Sequence, residues 1–262
     1  MGAVTLDPLA AKVLNWMNWV SISIGLPLIF MVMIAVFFQR QEAPVYVINL
    51  LISDLIQLCS RIPIDLCRLS KDDFTYLKIV YFCIMVSVGF MVCISCERYL
   101  VIAKPLWYRF RRNIKTYVVV CTVVWILPVF YTVLNYGIQE KEMAAHFFIV
   151  FLLLPIPLFI FFLVGTIKAL SAVLSVPADE KRRIAAIQVV VLIIYTLLHL
   201  PIILLLLHDI EALKGESCIA YAVGYAAGGL SPLADTILYV LFRKSILDKF
   251  LASLGCCKIS IN

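Results

Sequence analysis

Charge is scarce in this sequence. Asp, Glu, Lys and Arg make up 15% of its 262 residues, where an ordinary soluble domain has about a quarter. Hydrophobic residues reach 64% and the mean hydropathy is +1.04, which excludes a soluble globular fold. Catalytic signatures are missing as well. There is no H-E-x-x-H, no G-x-S-x-G and no acid–base pair placed for catalysis, so an enzyme is not expected. No internal repeat and no low-complexity linker interrupt the chain. No signal-peptide pattern opens it, so the first hydrophobic span is expected to direct its own insertion. Met1-Gly2 resembles a myristoylation start, but Leu6 stands where Ser or Thr is needed. No N-x-S/T acceptor lies outside the apolar runs.

What the chain has instead is long apolar runs, each enough to cross about 30 Å of hydrocarbon with about 20 residues. They fall at about 14–38, 45–67, 74–102, 114–136, 144–172, 183–208 and 218–242. Lipid offers the backbone no hydrogen-bond partner, so each run is expected to be a helix. The expected fold is an all-α membrane protein, a seven-helix bundle closed by a short amphipathic helix at about 243–254. Residues 1–254 form the one domain, and 255–262 are a tail.

Seven spans put the termini on opposite sides. One side collects Arg40, Arg98, Lys104, Arg109, Arg111, Arg112, Lys115, Lys168, Lys181, Arg182, Arg183, Arg243, Lys244, Lys249 and Lys258. The other has fewer cations, offset by Asp72, Asp73, Glu140, Glu142, Asp209, Glu211 and Glu216. The positive-inside rule makes the first side cytoplasmic, with the N-terminus external and the C-terminus internal. The net charge of +6 is then a signal of orientation, and nucleic acid is not an expected partner.

The third span ends in Cys96-Glu97-Arg98-Tyr99, followed by Lys104-Pro105-Leu106. The second carries Asn49-Leu50-Leu51-Ile52-Ser53-Asp54-Leu55, the fourth Trp125, the fifth Pro157, the sixth Pro201, and the seventh Asp235-Thr236-Ile237-Leu238-Tyr239. In register, these segments resemble the E/D-R-Y, N-L-x-x-x-D-L and N/D-P-x-x-Y motifs of rhodopsin-like (class A) G-protein-coupled receptors. The resemblance covers nearly the whole chain.

That resemblance implies a plasma-membrane receptor that passes an extracellular signal to a heterotrimeric G protein, with arrestin a further partner. It assigns the cytoplasmic contact to Glu97, Arg98, Tyr99, Lys104, Pro105, Leu106, Lys181, Arg182, Arg183 and Tyr239. Glu97 beside Arg98 can neutralise the arginine at the membrane edge. The plain alternative is that Arg98 only snorkels to the headgroups. The resemblance also gathers Asp54, Ser87, Ser231 and Asp235 around one polar cavity, which in relatives can hold Na⁺. Two carboxylates and two hydroxyls suit a hard cation, but they suit water or a shared proton equally. No other cofactor is implied.

Departures from the family pattern are specific. Ile29 stands where Asn is usual in the first helix, Gly165 where Tyr is usual in the fifth, His199 where Trp or Phe is usual in the sixth, and Thr236 where Pro is usual in the seventh. These departures open the way to constitutive or atypical signalling. Asp73 occupies the place of the cysteine that the family pairs with its second extracellular loop, and the segment between the fourth and fifth helices has no cysteine. Two readings follow, a divergent member or a chain with trimmed external loops, and trimming is the preferred one.

Cys59, Cys83, Cys93, Cys96 and Cys121 lie within spans, as small packing residues. Cys67 and Cys218 are external and could pair, although no spacing fixes their distance. Cys256 and Cys257 follow the expected surface helix, whose apolar face is Ile246, Leu247, Phe250, Leu251 and Leu254. That order suits palmitoylation against membrane lipid.

Ligand classes narrow by position. Gly229 stands where retinal proteins carry their Schiff-base lysine, and Val80 where amine receptors carry an aspartate. Arg61 in the outer half of the second helix has Asp65 four residues on. It reads either as an ion pair on one helix face or as an anchor for an acidic ligand, with Tyr76, Lys78, Tyr81 and His199 completing the pocket. The Gly25-Leu26-Pro27 start and the aspartate form of the seventh-helix motif are similar to the nucleotide, lysophospholipid and proton-sensing branch. An acidic small molecule, a lysolipid or the proton is therefore the expected signal. The competing class is an ion or small-solute transporter or channel, which predicts repeated halves and broken midplane helices.

Overall fold

The computed structural model describes residues 8–38, 45–66, 75–111, 113–134, 141–172, 178–212 and 218–242. Among these residues the chain is helical throughout, in the order α1 Pro8–Phe38, α2 Val45–Leu66, α3 Thr75–Ala103, α4 Pro105–Arg111, α5 Ile114–Thr132, α6 Lys141–Leu153, α7 Pro155–Ala172, α8 Ala178–Ala212 and α9 Cys218–Phe242. Helices α6 and α7 together make the fifth span, so α8 is the sixth and α9 the seventh. Six spans, the last ending at Leu204, are long and apolar enough to cross a membrane, and the 25-residue α9 completes the expected set. The bundle is an all-α seven-span fold.

Two details differ from the sequence expectation. The segment after the E-R-Y motif forms the short helix α4, with Pro105 at its first position, where a missing N–H costs nothing. The fifth span breaks at Leu154 because Pro155 and Pro157 lack N–H groups and leave the carbonyls of Phe151 and Leu153 without their helical donors. The expected surface helix at 243–254, Cys256, Cys257 and Cys67 lie outside the described residues, as does the side chain of Cys218.

Helix α3 is the axis of the bundle, packed on α2, α5 and α7, while α1 and α8 flank α9. Its middle is buried along Met85, Val86, Ser87, Val88 and Phe90. Close approach depends on glycine at two contacts. A Cβ on Gly25 would stand 2.8 Å from Leu58 Cδ1, and one on Gly89 would stand 2.8 Å from Val124 Cγ1. Such small-residue contacts replace the hydrophobic drive that lipid removes between helices. Most of α5 faces outward, with Val118, Val119, Val123 and Ile126 exposed, as a lipid-facing helix requires. A polar bridge ties α5 to α2: Trp125 Nε1 donates to Asn49 Oδ1 at 3.0 Å, and Asn49 Nδ2 donates to the carbonyl of Val45 at 2.9 Å.

Candidate functional site

The polar core of the bundle lies where α2, α3 and α9 meet. Asp54, Ser87, Ser231 and Asp235 are all buried. Ser87 Oγ donates to Asp235 Oδ2 at 2.7 Å. Asp54 and Asp235 would repel one another across this core if both were charged. The Ser87 hydroxyl lies close to Asp54 as well, although neither Asp54 oxygen is in a well-aligned hydrogen bond. A carboxylate in mid-membrane costs at least roughly 2.5–3.5 kcal/mol unless it is paired, protonated or hydrated. Orphaned acceptors of this kind suit a hard cation, a water or a proton. Among the described residues, no group of three or more His, Cys, Asp or Glu is arranged for a metal ion. Any cation would therefore rest on the two carboxylates and neighbouring hydroxyls. Thr236, in the place of the family proline, turns its hydroxyl back to the carbonyl of Pro232 at 2.7 Å, so its polar group is satisfied within α9.

A cavity of about 30 Å³ extends between this core and the E-R-Y end of α3, large enough for about one water. Asp235 and Arg98 both line it, with Ser95, Met91, Val191 and Tyr239. The deep carboxylate and the E-R-Y arginine therefore share one void.

At the E-R-Y end of α3, Glu97 Oε1 accepts a hydrogen bond from Tyr108 on α4 and another, at 2.9 Å, from Tyr117 on α5. The two hydroxyls lie 3.0 Å apart. Burial and the Glu97 acceptor push the Tyr108 phenol above its ordinary value of 10.0. Neither tyrosine was identified in the sequence, because the three residues meet only when α4 folds back on α3. Tyr99 packs its ring against Phe161 and Phe162 of α7, with centroids 5.8 Å away in each case. Lys104, Pro105, Leu106 and Arg182 are exposed, Lys181 and Arg183 are partly exposed, and Tyr239 is buried.

In the half of the bundle away from the E-R-Y segment, Arg61 is only 1% exposed and crosses to α1 and α9. Its Nη1 donates to Asn18 Oδ1 at 3.3 Å. A Cβ on Gly228 would stand 3.0 Å from one guanidinium nitrogen, and one on Gly229 would stand 3.1 Å from the other. The glycine pair thus makes the seat for the arginine, and Gln57 fixes that stretch of α9 by donating to the carbonyl of Gly228 at 2.7 Å. Sequence reading missed Asn18, Gln57 and Gly228, since no local pattern marks a contact between three helices. The side chains of Asp65 and Tyr76 lie outside the described residues. Lys78 is half-buried, and Tyr81 packs edge-on against Phe148 at 5.4 Å.

His199 is buried and stacks on Tyr195, with centroids 4.3 Å apart and planes 17° apart; its Nδ1 lies 3.0 Å from the Tyr195 carbonyl. On α8 it is Tyr195 that lies within electrostatic reach of Asp235. Its hydroxyl donates to the carbonyl of Leu152 at 2.6 Å, between the two carbonyls that Pro155 and Pro157 leave bare.

Comparison with known proteins finds a family likeness over part of the chain. The model of the 7 transmembrane receptor (rhodopsin family) matches residues 28–146, which include Asp54, Arg98 and Trp125. Over that segment the chain is similar to the rhodopsin-like receptors. The receptor is 26% identical to G-protein coupled receptor 68 of Homo sapiens, across 83% of this chain and 69% of that protein. It is 23% identical to proteinase-activated receptor 1 of Xenopus laevis, across 90% of this chain and 64% of that protein. Mas-related G-protein coupled receptor member A4 of Mus musculus is 27% identical, across 63% of the receptor and 58% of its own length. All three are receptors, and none is named as an enzyme. The E-R-Y, Asp54 and tryptophan positions of this receptor thus fall within a matched family segment and a helical bundle that agrees with it.

Proposed function

We propose that this multi-pass membrane receptor couples to a heterotrimeric G protein in the plasma membrane, with its N-terminus outside and its C-terminus inside. The observation that carries the reading is the single cavity lined by both Asp235 and Arg98. A change of charge at Asp54 and Asp235 alters the field in that cavity, whose walls are mostly apolar. Arg98 at the other end is then positioned to respond. The G-protein contact is assigned to Arg98 with Lys104, Pro105, Leu106, Lys181, Arg182 and Arg183, and arrestin would use the same face.

The signal favoured at the polar core is exchange of a proton against Na⁺. Asp54 and Asp235 would hold the cation with Ser87 and Ser231, and a bound cation would neutralise their mutual repulsion. The orphaned oxygens of Asp54 support this reading. An acidic small molecule or lysolipid would instead enter the outer pocket beside Lys78 and Tyr81. The seat of Arg61 against Gly228 and Gly229 favours a bracing role for that side chain, so a ligand would reach its guanidinium only by displacing α9. Cys256 and Cys257, which follow the amphipathic segment in the sequence, would carry palmitate.

The test is nucleotide exchange in membranes across pH and Na⁺ at constant ionic strength. Exchange should rise as pH falls or Na⁺ is withdrawn, and Arg98→Ala should abolish it at near-normal surface expression. Asp54→Asn and Asp235→Asn should each flatten the response, and the double variant should add little, as for one coupled site. Undiminished exchange in Arg98→Ala, or ion flux in liposomes of purified protein, would overturn the receptor mechanism in favour of a channel.

A further inference from the structure

Helix α4 carries large exposed apolar side chains. Leu106 is 74% exposed, Trp107 49% and Phe110 87%. Its rotation is fixed, because the Tyr108 hydroxyl is held by Glu97 at the end of α3. At about 100° per residue, Leu106 and Phe110 each lie roughly 200° around the helix from Tyr108, on the side facing away from the bundle.

Both ends of α4 are tethered close to membrane spans. Lys104 alone separates it from α3, and Arg112 and Asn113 alone separate it from α5. The outward apolar surface then continues onto α5, where Ile114 is 78% exposed and Val118 57% exposed. That face of α5 is the one lipid must cover. Charge points the same way. No Asp or Glu occurs between Glu97 and Glu140, while Lys104, Arg109, Arg111, Arg112 and Lys115 fall within one short stretch. The side chains of Lys104 and Lys115, on either side of α4, are exposed.

We propose that α4 lies on the inner leaflet of the membrane, with Trp107 and Phe110 inserted at the headgroup boundary and the flanking lysines on anionic phospholipid. Large apolar side chains amid a cationic stretch are the pattern of a membrane-surface helix, and the cytoplasmic leaflet is the anionic one. The cytoplasmic placement rests on the orientation proposed above. The lipid contact itself does not depend on G-protein coupling. Around the helix Phe110 lies between Leu106, roughly 40° to one side, and Trp107, roughly 60° to the other. Phe110 and Trp107 therefore carry the lipid contact, and Leu106 borders the G-protein one. The surface thus holds α4 level and leaves Glu97, Tyr108 and Tyr117 to set its rotation.

The experiment is depth quenching of tryptophan fluorescence in nanodiscs of phosphatidylcholine, with and without phosphatidylserine, using lipids brominated near the headgroup end of the chain. Subtracting the Trp107→Phe signal isolates Trp107. Its emission should be quenched by at least about twofold, as for a side chain at the acyl boundary, and more with phosphatidylserine. Phe110→Ser should reduce that quenching while leaving nucleotide exchange in detergent micelles intact. Nanodiscs expose both leaflets, so the readout is independent of orientation and of signalling. Absent quenching in both lipid mixtures would overturn the proposal. So would a Phe110→Ser variant that keeps its quenching and loses exchange in micelles, since the face would then belong to the G protein.

Discussion

The ring of Tyr99 occupies the space that a side chain at position 165 would need: a Cβ on Gly165 would stand 2.5 Å from Tyr99 Cε2. The glycine that departs from the family pattern and the tyrosine that keeps it are therefore one packing unit. Tyr99 seals α3 to α7 beside Arg98, with Phe161 and Phe162 closing around its ring.

Restoring a side chain at position 165 should therefore overpack this contact. Gly165→Ala is expected to lower stability by about 1–3 kcal/mol, the usual cost of an extra group in a filled core. Gly165→Tyr should cost more, and Tyr99→Ala should recover part of it by opening the slot. The measurement is thermal unfolding of the purified receptor across the double-mutant cycle. Strict additivity of the two substitutions would show that the residues do not compete for one space.

The hydroxyl pair on Glu97 makes a second expectation, this time with a pH sign. Tyr108 donates as the neutral phenol, and its folded value lies above the ordinary 10.0. Its contribution is then fully present below the unfolded phenol value of about 10 and fades only as pH rises past it toward the folded value. Between neutrality and about pH 9 the clamp on α4 should be insensitive to pH. Tyr117→Phe and Tyr108→Phe should each loosen α4, by about 1.5–3 kcal/mol for a bond to a charged acceptor and less where water replaces it. Hydrogen exchange of the 104–111 backbone amides reports the loosening. Faster exchange in wild type between pH 7 and 9, after correction for the intrinsic rate, would contradict the assignment.

Much of this architecture was legible in the sequence because the membrane imposes length and polarity on every span. The seven-span count, the E-R-Y segment and the buried carboxylates of α2 and α9 all announce themselves through hydropathy or through a charge that lipid penalises. Contacts between distant helices do not. Tyr117 reads as one aromatic residue in an apolar run, and only folding brings it to Glu97. Arg61 is conspicuous in α2, but its seat depends on two glycines far along the chain. Gly165 was visible as a departure, yet its reason lay in the ring that fills it. The break at Leu154 was foreshadowed by Pro155 and Pro157, whereas the hydroxyl that meets it comes from α8.

That hydroxyl carries the last prediction. Tyr195 donates to the carbonyl of Leu152 at 2.6 Å, in the turn where two prolines remove backbone donors. Its ring also packs edge-on against Phe159 at 5.1 Å and face-on against His199. Tyr195→Phe keeps both ring contacts and deletes only the donor, so it isolates the link between the broken fifth span and α8. The expected cost is about 0.5–1.5 kcal/mol of stability, the net worth of one such bond, and up to about 3 kcal/mol if the carbonyl is left dry. Val191, one turn of α8 before Tyr195, lines the shared cavity together with Arg98. Weakening the α7–α8 link should therefore let α8 move away from Arg98 more readily and raise agonist-independent nucleotide exchange severalfold. Thermal unfolding and basal exchange, measured on the same membrane preparation, test the two effects together. A variant less stable but unchanged in basal exchange would mark the bond as structural packing alone, with no part in switching.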